Sequence, residues 1–156
     1  MKHLIAVCLL LGTLAACAPS TDPRPVGAGR DAHGCIGSAG YTWSTVRGEC
    51  LRVFEAGLAF VPDPAPTQGP ALAAYLVLAP AQGDVVTAAE VFVPGRAAPV
   101  ALALAHTPEG DVRPTLLINR AEGIEVFRHK DEHYLDVQGQ RFRRESPASD
   151  RLFQLR

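Results

Sequence analysis

The residues of this chain equipped for chemistry are four cysteines, five histidines and a scatter of carboxylates. Cys35 and Cys50 lack the C-x-x-C spacing of thiol-exchange catalysts, and His33 is the nearest residue that could join them on a metal. A zinc site takes four ligands, or three and a water, so this pair is not expected to hold one. His129-Lys130-Asp131-Glu132-His133 is the other metal candidate. On one straight strand its imidazoles lie about 13 Å apart, at roughly 3.3 Å per residue. A turn at Lys130 to Glu132 would bring them together, with Asp131 or Glu132 as an oxygen ligand. Solvated turn histidines are the expectation, and no metal or cofactor is assigned. Gly37-Ser38-Ala39-Gly40 fails as a nucleophile elbow, because Ile36 stands where G-x-S-x-G requires glycine. The sequence contains no phosphate-cradling glycine loop. A glycan hydrolase needs two carboxylates, and Glu49, Glu55, Glu90, Glu125 or Asp136 could supply them, but nothing in their spacing pairs any two. No residue is assigned a catalytic role.

The N-terminus is an address. Lys2 and His3 precede the apolar run Leu4 to Leu11, too short to span a bilayer and right for a secretory signal, so residues 1–16 are set aside as a signal peptide. Leu14-Ala15-Ala16-Cys17 resembles the bacterial lipobox. That resemblance implies cleavage before Cys17, lipidation of its thiol and acylation of the new N-terminus. Several acyl chains hold a protein stably where one holds it only marginally. Ala18 in place of Asp, by resemblance to sorting in Gram-negative bacteria, implies the outer membrane, with the chain facing the periplasm. Residues 17–30, rich in Pro, Gly, Ser and Thr, then read as the lipidated cysteine and a flexible tether. At about 3.1 Å per extended residue, the tether reaches on the order of 40 Å. With Cys8 removed and Cys17 lipidated, an oxidising location leaves Cys35 and Cys50 as a disulfide pair. Closing that loop contributes about 3 kcal/mol in the chain-entropy model.

The segment His33 to Glu55 carries G-C-x-x-S-A-G-Y-T-W-x(6)-C-x-R-x-F-E. It resembles a motif of small uncharacterised bacterial envelope lipoproteins, and the resemblance brings no catalytic role with it. Tyr41 and Trp43 alternate, as do Leu51 and Val53, which predicts two short strands joined by the disulfide. Tyr41, Trp43 and Phe54 are expected to fill a small core beneath the bridge. The competing arrangement is an exposed patch in which Tyr41, Trp43, Arg47 and Arg52 are the candidate partner-binding residues.

The elements that position these residues are strands. Apolar runs at Ala71 to Ala79, Val85 to Val93, Val100 to Ala105, Thr115 to Ile118, Ile124 to Arg128, Tyr134 to Val137 and Gln140 to Arg143 alternate with turn signals, glycine-bearing or proline-bearing in every gap but His129 to His133. This serial pattern predicts a mainly β fold, a small antiparallel meander sheet or barrel with an N-terminal disulfide-closed segment. A single β-rich domain is expected over residues 31–156. Pro62 to Pro70 reads as a loop, Arg141, Arg143 and Arg144 as a solvated strand face, and Arg151 to Arg156 as a short terminal helix.

At 156 residues with 47% hydrophobic content, the chain has room for one core. A formal net charge of −1 gives no field for holding nucleic acid. The expected function is therefore a membrane-anchored envelope lipoprotein acting as a binding or assembly-accessory module without catalysis. Its expected partners are the membrane, through the lipid anchor, and an envelope protein or a glycan. The alternatives are an inhibitor-like module, resembling the small β lipoproteins that block host lysozymes, or a glycan-acting hydrolase with non-local carboxylates.

Overall fold

The computed structural model describes residues 29–82, 86–106 and 115–145. The signal peptide, Cys17, nearly all of the tether and the helix expected at the C-terminus lie outside the described residues.

An N-terminal module comes first: a 3-10 turn at Gly37–Ala39, strands β1 (Thr42–Ser44) and β2 (Glu49–Leu51), and one helical turn α1 (Val53–Ala56). Strands β3 (Leu58–Pro62), β4 (Ala74–Leu78), β5 (Ala88–Phe92), β6 (Val100–Leu104), β7 (Thr115–Asn119), β8 (Ile124–His129), β9 (Glu132–Val137) and β10 (Gln140–Arg144) follow. They form a closed antiparallel barrel in which each strand pairs with the next and β10 pairs with β3. The mainly β, antiparallel expectation thus resolves as a barrel, with the Cys35–Cys50 disulfide formed in the N-terminal segment.

Period-two alternation builds the barrel. Leu76 faces Val91 across β4–β5, Val126 faces Leu135 across β8–β9, and Leu135 faces Phe142 across β9–β10. All five side chains are buried in the core. An eight-stranded barrel is just wide enough for side chains to fill it, and Phe60 and Phe142 provide the largest fully buried ones here. Tight reversals hold neighbours in register. Gln138 and Gly139 both take positive φ, as a two-residue type I′ hairpin between β9 and β10 requires.

β3 was not among the expected strands. Leu58-Ala59-Phe60-Val61 is apolar throughout and runs straight into the proline cluster, so it carries neither alternation nor a clean turn signal. Its place at the closing seam explains why Pro62 can end it: Pro62 pairs with Phe142, and the chain continues with the Asp63 N–H donating to the Arg141 carbonyl at 2.9 Å. Closure removes both sheet edges. Strands of five or six residues fall short of the about 9–11 that span a bilayer.

The N-terminal module lies on the outside of β4 and β5. Val77 and Glu90 point outward yet are fully or almost fully covered. A Cβ on Gly57 would stand 2.7 Å from the Val53 carbonyl oxygen and 3.2 Å from Tyr75 Cβ, so the junction between α1 and β3 depends on glycine for close approach. The Arg47 Nε donates to the Leu78 carbonyl at 2.7 Å, and the Thr45 N–H donates to Glu90 Oε2 at 3.1 Å.

Candidate functional site

The outward residues of β8, β9 and β10 form a polar surface on the barrel. Register places Phe127 opposite Tyr134, Tyr134 opposite Arg143 and Asp136 opposite Arg141, all on the exterior. The Phe127 and Tyr134 rings stack at 5.5 Å between centroids with planes 16° apart. The Arg141 guanidinium sits 5.5 Å over the Tyr134 ring, and its Nε lies 3.6 Å from Asp63 Oδ2 on the loop after β3. That loop walls a groove of about 670 Å³ bounded by Asp63, Pro64, His129, Tyr134, Asp136 and Arg141. The Tyr134 hydroxyl donates to Glu132 Oε2 at 2.8 Å. This bond is the main cause holding the phenol above its ordinary pKa; desolvation and the charges of Glu132 and Asp63 add to it, and Arg141 opposes it. Tyr134 therefore stays neutral, and a hydrogen-bond donor, throughout the neutral range.

The groove combines a fixed cation, carboxylates on both sides and an aromatic edge. Because Arg141 already covers a face of Tyr134, the ring offers a sugar less stacking surface than a bare platform would. What remains is hydrogen-bonding and ion-pairing capacity suited to a polar protein segment. The sequence reading missed this site. Asp63 and Arg141 belong to opposite ends of the barrel sequence and meet only because β3 closes on β10.

The four candidate partner-binding residues do not act as one patch. Thr42 pairs with Leu51 and Ser44 with Glu49. Ser44 and Leu51 are buried, on the hairpin face turned to the barrel. Tyr41, Trp43 and Arg52 therefore take the opposite face. The Arg52 guanidinium lies 4.9 Å over the Tyr41 ring, while Trp43 stacks on His33 with centroids 4.4 Å apart. Arg52 also donates to the Ala39 carbonyl and Glu55 Oε1, each at 3.0 Å, and the Glu55 bond leads the causes raising its pKa. Arg47 instead clamps the module to the barrel through Leu78. The expected aromatic core is corrected: Phe54 is 57% exposed and Tyr41 38%, because the barrel-facing side of so short a hairpin is taken by Ser44 and Leu51, while Cys50 of the disulfide shares the opposite face with Trp43. Val53 begins α1 rather than continuing β2.

Strand parity also divides the other groups. His129 pairs with Glu132 and lies in the exterior groove, whereas His133 faces Arg128 on the inner side, so the two imidazoles cannot share an ion. No cluster of three or more His, Cys, Asp or Glu arranged to hold a metal occurs among the described residues. Arg141 and Arg143 face outward while Arg144 is buried facing inward, so the basic run is not one solvated face. Of the five carboxylates available to a hydrolase, Glu49 and Glu55 stand on the exposed N-terminal module and Glu90 is buried beneath it. Glu125 and Asp136 are direct register partners on β8 and β9, lining a shallow depression of about 200 Å³.

No family model, curated protein or solved structure matches this chain.

Proposed function

We propose that this chain is a lipid-anchored binding module of the bacterial cell envelope, held at the outer membrane and facing the periplasm, whose groove over β8–β10 receives a segment of an envelope protein. The anchoring half is supported by the lipobox-like Leu14 to Cys17 and by the Cys35–Cys50 disulfide, a bond typical of exported proteins. The binding half is carried by one observation: Arg141, set between the Asp63 carboxylate and the Tyr134 ring, lies in an open groove on a barrel whose interior is already filled by its own side chains. A filled barrel presents its chemistry on the outside.

A photocrosslinking residue at Gln140, beside the groove, is expected to capture a discrete partner in intact envelopes. Arg141→Glu should lose that adduct while the purified variant keeps its β-sheet signal. An adduct unaffected by charge reversal would place the contact elsewhere.

The paired carboxylates Glu125 and Asp136 favour a second reading, hydrolysis of a glycan. It requires release of sugar fragments from purified wall glycan by the wild type and loss of that release in Asp136→Asn.

A further inference from the structure

The geometry points to a second, non-covalent membrane contact: the outer face of the N-terminal hairpin, with Tyr41 and Phe54 beside Arg52, rests on the lipid interface next to the chain's own tether. This inference relies on the anchoring reading of Cys17.

The first support is the combination of exposure and rigidity. Phe54 and Tyr41 are among the most exposed large hydrophobic residues described, at 57% and 38%. They are not on loose loops. The Cys35–Cys50 bond closes the module, Arg52 fixes Tyr41 from above, and a Cβ at Gly40 would lie 3.6 Å from Phe54 Cε1, which places both aromatic residues in one patch. Because Ser44 and Leu51 turn toward the barrel, Tyr41, Trp43 and Arg52 turn away from it.

The second support is where the tether arrives. Arg30 forms a β-bridge with Ile36, so the segment coming from Cys17 enters the molecule on this module. Residues 18–29 can extend only on the order of 40 Å. A lipid-anchored chain therefore holds this face within reach of the bilayer, and a weak surface contact becomes an intramolecular one.

The third support is chemical. Arg30, Arg47 and Arg52 balance Asp31, Glu49 and Glu55 across the module, so it carries no net charge to repel lipid. Tyr and Trp favour the headgroup level, and an arginine can lay its stem on apolar surface while its head stays in water. The expected occupant is the interface itself, without demand for anionic lipid.

This seating orients the molecule. Around the closed barrel, β4 and β5 lie four strands from β8 and β9 in either direction. A module resting on lipid thus turns the Arg141 groove away from the membrane.

Trp43, the only tryptophan, sits two residues beyond Tyr41 and reports on the contact. The lipidated full chain is reconstituted into phosphatidylethanolamine–phosphatidylglycerol vesicles, plain or brominated near the headgroup, and flotation scores anchoring separately. Wild-type Trp43 should lose roughly half its emission to brominated lipid, as expected for an indole held at the ~5–10 Å interfacial layer, and should do so in low and high salt alike. Tyr41→Ser with Phe54→Ser should float equally and show no quenching. Phe54→Ser alone, at a side chain more than half exposed, should show a smaller loss of quenching and guards against misfolding of the double variant. Floating wild type whose emission is the same in both vesicles overturns the contact and spares the anchor. Quenching that persists in the variants, or vanishes in high salt, overturns the aromatic contact. Protein that does not float overturns both readings.

Discussion

Glu90 points out of the barrel and is nevertheless only 2% exposed, because the N-terminal hairpin lies over it. Its Oε2 accepts the Thr45 N–H, and its Oε1 has no hydrogen-bond partner among the described residues. Removing the side chain would leave the partly buried N–H without its acceptor and a space under the hairpin, and the loss of such a bond costs about 1–3 kcal/mol. Glu90→Ala is accordingly expected to lower stability by about that amount in urea unfolding, whereas Glu90→Gln, which keeps an acceptor, should cost clearly less. Equal losses in both variants would mean that packing, not the bond, gives Glu90 its role. Residue types such as Glu90 and Arg47 are plain in the sequence, but their duties are not. Nothing local indicates that one is roofed by the hairpin or that the other reaches the Leu78 carbonyl.

At the scale of elements, the N-terminal module consists of a 3-10 turn, two three-residue strands and one turn of α-helix, too little to persist without cross-linking and docking. Cys35→Ser with Cys50→Ser should remove about 3 kcal/mol of loop-closure stabilisation. The loss should be local. Trp43 emission is expected to shift to the red as its stack on His33 opens, while the far-ultraviolet β signal of the barrel stays; simultaneous loss of both would make the module integral to the barrel. The strands of the meander were legible because Ala89, Val91, Ile124 and Val126 alternate with outward residues between glycine turns. β3 was not, since its uniform apolar run has no period and its β10 partner is remote in sequence.

At the scale of the molecule, closure turns an open meander into a filled cylinder. Phe60 and Phe142 from the two seam strands meet inside it, together with Leu76, Leu102, Leu117 and Leu135. Phe60→Ala should therefore cost about 3–5 kcal/mol in denaturant unfolding with an unchanged slope, the cost of an uncollapsed cavity. A loss below about 1 kcal/mol would mean that the interior is loosely filled. Closure also places the two candidate contact surfaces on opposite sides, the hairpin over β4–β5 and the Arg141 groove over β8–β10.

The amino-acid sequence by itself determined the strand-rich class, most strand positions, the turns and the pairing of Cys35 with Cys50. All of these rest on local period, local backbone preference or the small number of cysteines. Tertiary structure alone decided that the sheet closes, which face each aromatic and each arginine takes, and that Asp63 reaches Arg141. Those outcomes depend on contacts between strands far apart in the chain. A one-residue change of parity reverses a side chain without altering the composition around it.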